Sequence, residues 1–309
     1  MKYIDLHVHS NCSDGTLTPE ELVVRGIRND LVAFALTDHD TVDGVERAIR
    51  KAEELDNHIQ VIPGVELSCQ YEVSSERNVE IHILGYRIDH HNETLVTKLR
   101  QVAEERDNRN KKMCENLHNA GYPISYEELT QKFGDMIITR AHFAKLLLEN
   151  GGVPSMDYAF KTCLAIDSPY FVNREYLTPK GAVELIQNAG GIPVLAHPLL
   201  YKMSVSEIRA MLDELKGYGI RGIEALYSRN HGTDEAFVRK LADEYGLFIT
   251  GGSDFHGDNK PDIEMGTGTG NLRVPVMLLE NLNDDAQGQK ALCRSCLHDK
   301  AVGLETRQT

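Results

Sequence analysis

The chain has 309 residues, 41% of them hydrophobic and 26% charged, with a formal net charge of -14 and six cysteines in no framework spacing. That length suits one large core or a barrel with an insertion, and the acidity argues against a basic surface for duplex DNA. No apolar run approaches the about 20 residues of a membrane span, and MKYIDLHVHS lacks the features of a secretory leader, so a cytoplasmic protein with reduced thiols is expected.

Taken in order, YIDLHV reads as a first strand and TPEELVVRGIRND as a first helix. Thr18 is the N-cap of that helix, Pro19 takes its first position, and Glu21 completes a Thr-x-x-Glu capping box. LVAFALT, DGVERAIRKAEELDN and IQVIPGVELS continue the alternation, which predicts βα units around a mainly parallel sheet or barrel. After VEIHILGYRID the rhythm changes, and residues 90–177 read as helix after helix with no convincing strand. They are expected to form a helical insertion over the active site. From Thr178 the βα rhythm returns through GIPVLAHP, RGIEALYS and LFITGGSDFHG, so residues 1–89 and 178–309 are expected to form one discontinuous barrel domain. LRVPVMLLENL reads as a last strand or packing segment before a polar tail.

The chemistry gathers near the ends of these strands. His7 and His9 alternate at the end of the first one, so their side chains point to the same side and make a ready chelate. Asp14 follows in a Ser-Asp-Gly turn; Asp38, His39 and Asp40 follow LVAFALT; Glu66 ends IPGVE; His82 lies within VEIHILGY; His197 ends GIPVLA; Asp254 and His256 follow LFITGG. Six of the 13 histidines fall at or beside strand ends, the rim where barrels place their chemistry, and scattered core or surface histidines have no reason to choose it. Imidazoles and carboxylates without cysteine suit Mn²⁺, Fe²⁺ or Zn²⁺, and nine ligands exceed what one ion needs. Two or three divalent ions, manganese foremost, are therefore expected, with a shared carboxylate bridging two of them in a site that hydrolyses phosphoesters.

In order, DLHVHSxxSDG, TDHD, PGVE, HILGY, AHP and SDFH resemble the signatures of the PHP family, named for polymerase and histidinol phosphatase. The resemblance covers roughly residues 1–89 and 178–270 and implies a distorted (β/α)7 barrel with metals at its C-terminal rim. It further implies one metal on His7, His9, Glu66 and Asp254, a second sharing Glu66 with His82 and His197, and a third on Asp14, His39 and His256. Asp14 stands where histidinol phosphatases and polymerase-associated members commonly carry His. That form, with a helical insertion between HILGY and AHP, resembles the branch that removes the 3′-phosphate of 3′,5′-nucleoside bisphosphates or trims short RNA from its 5′ end. The expected activity is hydrolysis of a nucleotide phosphomonoester by metal-bound hydroxide. The alternatives are a 5′-3′ exoribonuclease, a histidinol-phosphate-type phosphatase, an amidohydrolase-type barrel, which usually carries a strand-end lysine, and a non-catalytic module that binds metals or phosphorylated ligands.

Arg140 and Arg174 lie near the ends of the insertion and are candidate phosphate clamps, since a guanidinium fork suits phosphate oxygens. His231, after GIEALY, is a candidate to protonate a leaving group, although a histidine there also fits a polar surface. Asp38 and Asp40 read as partners that orient His39 or cap the next helix. Cys293-x-x-Cys296-x-His298 lacks a second pair of ligands and is read as helical tail, and MGTGTG is read as a glycine-rich surface loop.

Overall fold

The computed structural model describes residues 2–56, 58–134, 138–165, 167–172 and 177–282. Eight strands form one sheet in the order β7-β6-β5-β4-β3-β2-β1-β8. They are β1 (Tyr3–Val8), β2 (Leu31–Leu36), β3 (Gln60–Ser74), β4 (Arg77–Tyr86), β5 (Ile192–Leu195), β6 (Gly222–Tyr227), β7 (Phe248–Gly252) and the short β8 (Val274–Pro275). Side chains on both faces of the sheet, among them Ile4, Leu6, Ile62, Val65, Ile83, Val194 and Ile223, are fully buried. The sheet curls until its ends meet: Val8 bridges Phe255, the His9 N–H donates to the Phe255 carbonyl at 3.0 Å, and the Asp254 N–H donates to the His7 carbonyl at 2.8 Å. The result is a nearly closed barrel. Gly252 makes that closure possible, because a Cβ there would lie 2.4 Å from the His7 backbone nitrogen.

The first helix begins as its sequence predicts. In α1 (Pro19–Arg28) Thr18 and Glu21 form the reciprocal capping box. Helices α2 (Val45–Glu54), α7 (Pro179–Asn188), α8 (Val205–Tyr218) and α9 (Asp234–Tyr245) complete the βα units. LRVPVMLLENL supplies β8, which pairs antiparallel with β1.

The expectation of a mainly parallel sheet needs one correction. β4 runs antiparallel to both β3 and β5. A tight return at residues 75–76 joins β3 to β4, and a hairpin of that kind forces antiparallel pairing. With 15 residues β3 also overshoots the rim, so Glu66 and His82 lie in mid-strand rather than at strand ends.

Between β4 and β5 the chain forms α3 (Glu93–Asn119), α4 (Tyr126–Phe133), α5 (Arg140–Glu149), the single turn α6 (Met156–Tyr158) and a π-type turn over Ala159–Cys163. Helix α3 serves two cores. Leu95, Leu99 and Val102 belong to the main barrel core, whereas Met113, Cys114 and Leu117 belong to a second cluster with Leu129, Phe143, Leu147 and Cys163. Cys12, Cys69, Cys114 and Cys163 are free thiols, and no helix among the described residues is long and apolar enough to cross a membrane. The Cys293, Cys296 and His298 group lies outside the described residues.

Candidate active site

All nine side chains predicted as ligands converge at one end of the barrel. Glu66, fully buried on β3, is the centre. Its Oε2 lies 3.2 Å from His7 Nε2, His9 Nε2 and His39 Nδ1, and its Oε1 lies 2.9 Å from His82 Nδ1 and His197 Nε2. Asp254 turns Oδ1 toward His7, His9 and His256 at 3.7, 3.5 and 3.3 Å. Its Oδ2 accepts from the Tyr227 hydroxyl at 2.7 Å and from Lys260 at 2.6 Å. Asp14 Oδ1 lies 3.2 Å from His256 Nε2, 3.8 Å from His9 Nδ1 and 3.9 Å from His39 Nε2. His9 and His39 thus stand between the Glu66 group and the Asp14 group.

A further feature fits such a cluster to metal ions. His7 Nε2, both ring nitrogens of His9, Asp14 Oδ1, His39 Nδ1, Glu66 Oε2 and His197 Nδ1 are buried without a hydrogen-bond partner, which uncharged packing does not tolerate. The backbone is also bent there: Asp254 has φ +58° and Asp40 φ +52°, a region uncommon for non-glycine residues.

The electrostatics keep the carboxylates and His9 in ligating form. Burial pushes Glu66, Asp14 and Asp254 up, but neighbouring imidazoles, with Lys260 beside Asp254, outweigh it and hold all three well below the usual carboxylate range. Burial and the neighbouring His256 and His39 hold His9 well below the usual imidazole range, hence neutral. Against the pull of burial, Glu224, Glu66 and Asp254 raise His7. Likewise Glu66 and Glu80 raise His82 to about 10.

Sequence reasoning passed over the residues that support the cluster. Glu224, inside β6, accepts from His7 Nδ1 at 3.0 Å and from the His197 N–H at 2.9 Å. Asp5, inside β1, accepts from the Ser253 N–H at 2.8 Å and the Gly266 N–H at 2.7 Å, tying the first glycine of MGTGTG beneath β7. Each was a lone acid within an apolar run, and that was the available signal. Asp38 and Asp40 correct one expected role, for neither caps α2. Asp38 accepts from the Ser10 N–H and from the hydroxyls of Ser10 and Ser13, fixing the turn that carries Asp14. Asp40 accepts from the Ser68 N–H at 3.0 Å and pairs with Arg106, while Gly44 occupies the N-cap of α2.

A cavity of about 240 Å³ opens over the cluster, lined in part by Asp14, His39, His82, His256, Arg106, Arg140, Lys260 and Phe160. Arg140 reaches it from the start of α5, with Nη2 2.8 Å from Glu80. Arg106 was legible in principle: on α3 the positions 106, 109 and 110 continue the stripe of Leu95, Leu99 and Val102, yet they carry Arg, Arg and Asn, all buried. His231 does not line this cavity; it is exposed in the turn before α9, where its N–H donates to Asp234. Arg174 lies outside the described residues. A larger hollow of about 490 Å³, against α3 and α4, contains none of the clustered ligand side chains. Glu46, His90 and His91 gather elsewhere on the surface, with Glu46 bonded to Arg50.

Comparison with known proteins places this geometry. The model of the PHP domain matches residues 5–166. A 5′-3′ exoribonuclease Rnm of Escherichia coli is 33% identical over 262 residues, 85% of this chain and 87% of that protein. A 3′,5′-nucleoside bisphosphate phosphatase of Chromobacterium violaceum is 34% identical over 268 residues, 86% of this chain and 91% of that protein. Among solved structures, one from Chromobacterium violaceum described as an amidohydrolase with bound sulfate and no metal superimposes with TM-score 0.78 at 30% identity, covering 93% of this chain and 96% of that one. Another, provisionally designated a metal-dependent phosphoesterase, from Bifidobacterium adolescentis, gives TM-score 0.77 at 26% identity and covers 91% and 95%.

Proposed function

Because the chain belongs to the PHP domain family and is a metal-dependent phosphoesterase, we propose that it hydrolyses a phosphomonoester of a nucleotide, the 3′-phosphate of a 3′,5′-nucleoside bisphosphate. The observation that carries this reading is the pairing, in one cavity, of ligand-type side chains with Arg106, Arg140 and Lys260, in a chain whose net charge is -14. Each of these cations pairs with an acid of the protein and also lines the cavity, so phosphate oxygens entering there would share it, and a substrate with two phosphates needs more than one of them.

His7, His9, Glu66 and Asp254 would hold one divalent ion; Glu66 with His82 and His197 would hold a second; Asp14, His39 and His256 would hold a third. When bound, these ions supply Lewis-acid activation of water and of the phosphoryl group. The remaining roles belong to the protein. Glu224 keeps His7 in one tautomer and orients it, as a carboxylate behind a ligating imidazole does. Asp38 holds the Asp14 turn in place. Arg140 and Lys260 neutralise the non-bridging oxygens as charge builds on them, and Glu80 holds the Arg140 guanidinium at the cavity wall. Lys260, set at the cavity edge, is better placed than the exposed His231 to offer a proton to the departing alkoxide.

The test is phosphate release from adenosine 3′,5′-bisphosphate, AMP, histidinol phosphate and a short 5′-phosphorylated RNA by the manganese-loaded enzyme. We expect the bisphosphate to be turned over with the highest kcat/KM and to yield AMP. Preferential hydrolysis of histidinol phosphate would overturn the substrate assignment, and nucleotides released stepwise from the RNA at a higher kcat/KM would move it to the exoribonuclease.

A further inference from the structure

We propose that Phe160 is the platform on which the nucleobase stacks, and therefore the residue that makes this cavity prefer a nucleotide over a phosphorylated sugar or amino alcohol; this rests on the nucleotide reading above.

Six large apolar side chains are exposed among the described residues: Leu148, Tyr158, Phe160, Leu200, Val205 and Met277. Of these, Phe160 alone lines the cavity over the ligand cluster. The residue is 39% exposed in a wall that, Ala141 apart, is otherwise made of polar and ionisable side chains, where its ring contributes nothing to solvating phosphate. Nor does the segment need this ring as an anchor. Ala159, Cys163 and Leu164 on either side of it are already buried in the insertion core. An aromatic ring left out of the core, at the mouth of a polar cavity, fits a flat apolar ligand face.

The local backbone supports the assignment. Phe160 lies in the π-type turn Ala159–Cys163, a widened turn of the kind found at functional sites, where it re-aims side chains. That turn packs against α5, the helix that begins with Arg140. Ring and guanidinium are thus carried on one wall by adjoining elements, so a phosphate drawn to Arg140 brings its nucleoside toward the ring. Stacking reads a π-face and not a hydrogen-bonding edge, so the platform accepts any base, purines most strongly for their larger face.

The experiment compares wild type, Phe160→Ala and Phe160→Trp, all manganese-loaded, on adenosine 3′,5′-bisphosphate and on its tetrahydrofuran abasic analogue. Phe160→Ala is expected to raise KM for the nucleotide roughly 5- to 100-fold, the range that loss of one base–aromatic stack gives. It should leave kcat, and KM for the abasic compound, within about 2-fold, while Phe160→Trp restores the nucleotide KM. An unchanged nucleotide KM, or an equal rise for both compounds, overturns the platform while leaving the nucleotide reading intact. Release of phosphate from neither compound by wild-type enzyme overturns the substrate reading and the platform together.

Discussion

Glu66 faces five imidazoles with its two oxygens, and its side chain is completely buried. A carboxylate in that position is stable only if the surrounding positive charge is dependable, and neutral imidazoles provide it only by holding metal. The atoms behind the ligands therefore matter as well. Glu224 bonds His7 Nδ1 and the His197 N–H together, so Glu224→Gln, close in shape, should weaken metal binding or activity by about 10- to 100-fold through loss of orientation and basicity. Metal content and kcat over a manganese titration measure this, and an unchanged titration would remove Glu224 from the site. The nine ligand-type residues were legible in the sequence because imidazole and carboxylate side chains clustered in short motifs. Glu224, Arg106 and Lys260 stand outside those motifs, and Asp5, although it opens DLHVHS, was not singled out within it; each acquires its meaning only from the partner that the fold brings to it.

At the scale of elements, the β3–β4 hairpin and the insertion decide what surrounds the cluster. Alternating βα units, the first helix and its cap, and the helical character of the insertion were readable from periodicity and capping chemistry. The reversal of β4 was not, because an apolar run pairs in either direction and only the short return at residues 75–76 settles which. Helix α5 carries a consequence of its own. His142 closes the capping box of that helix, accepting through Nδ1 from the Thr139 N–H at 3.0 Å, and is 2% exposed. Burial pulls it down to about 4 from an ordinary 6.5. Between those values the unfolded chain holds the proton and the folded one does not. Stability from this group is therefore full above pH 6.5 and declines as the pH falls toward 4, by about 3 kcal/mol at about 1.4 kcal/mol per unit. Gln at this position also completes a capping box but does not titrate. Urea midpoints at pH 7 and pH 4.5 should therefore diverge less in His142→Gln than in wild type, and an identical divergence in both would show that His142 is not a source of the acid sensitivity.

The molecule as a whole is a barrel that a metal cluster would tie together. The candidate ligands come from β1 and its following turn, from β3 and β4, and from the segments after β2, β5 and β7, so almost every strand of the sheet delivers one. The family motifs made this convergence readable, whereas the insertion carried no motif and its cavity-lining residues, Arg140 apart, had to be found in space. In the unfolded chain these ligands are scattered over about 250 positions and cannot bind as a set. Ions bound by the folded state alone stabilise it by about 2.7 kcal/mol at a hundred times the dissociation constant, and more as the concentration rises. At about 2–4 °C per kcal/mol for large domains, the melting temperature should climb several degrees from chelator to saturating Mn²⁺ and keep rising logarithmically with free metal. Asp254→Asn should flatten that rise, because the oxygen shared among His7, His9 and His256 loses its charge. Differential scanning calorimetry over a buffered manganese series decides the matter. A melting temperature independent of metal from chelator to saturation would mean that the cluster does not bind Mn²⁺ as a folded-state site, whatever its donors.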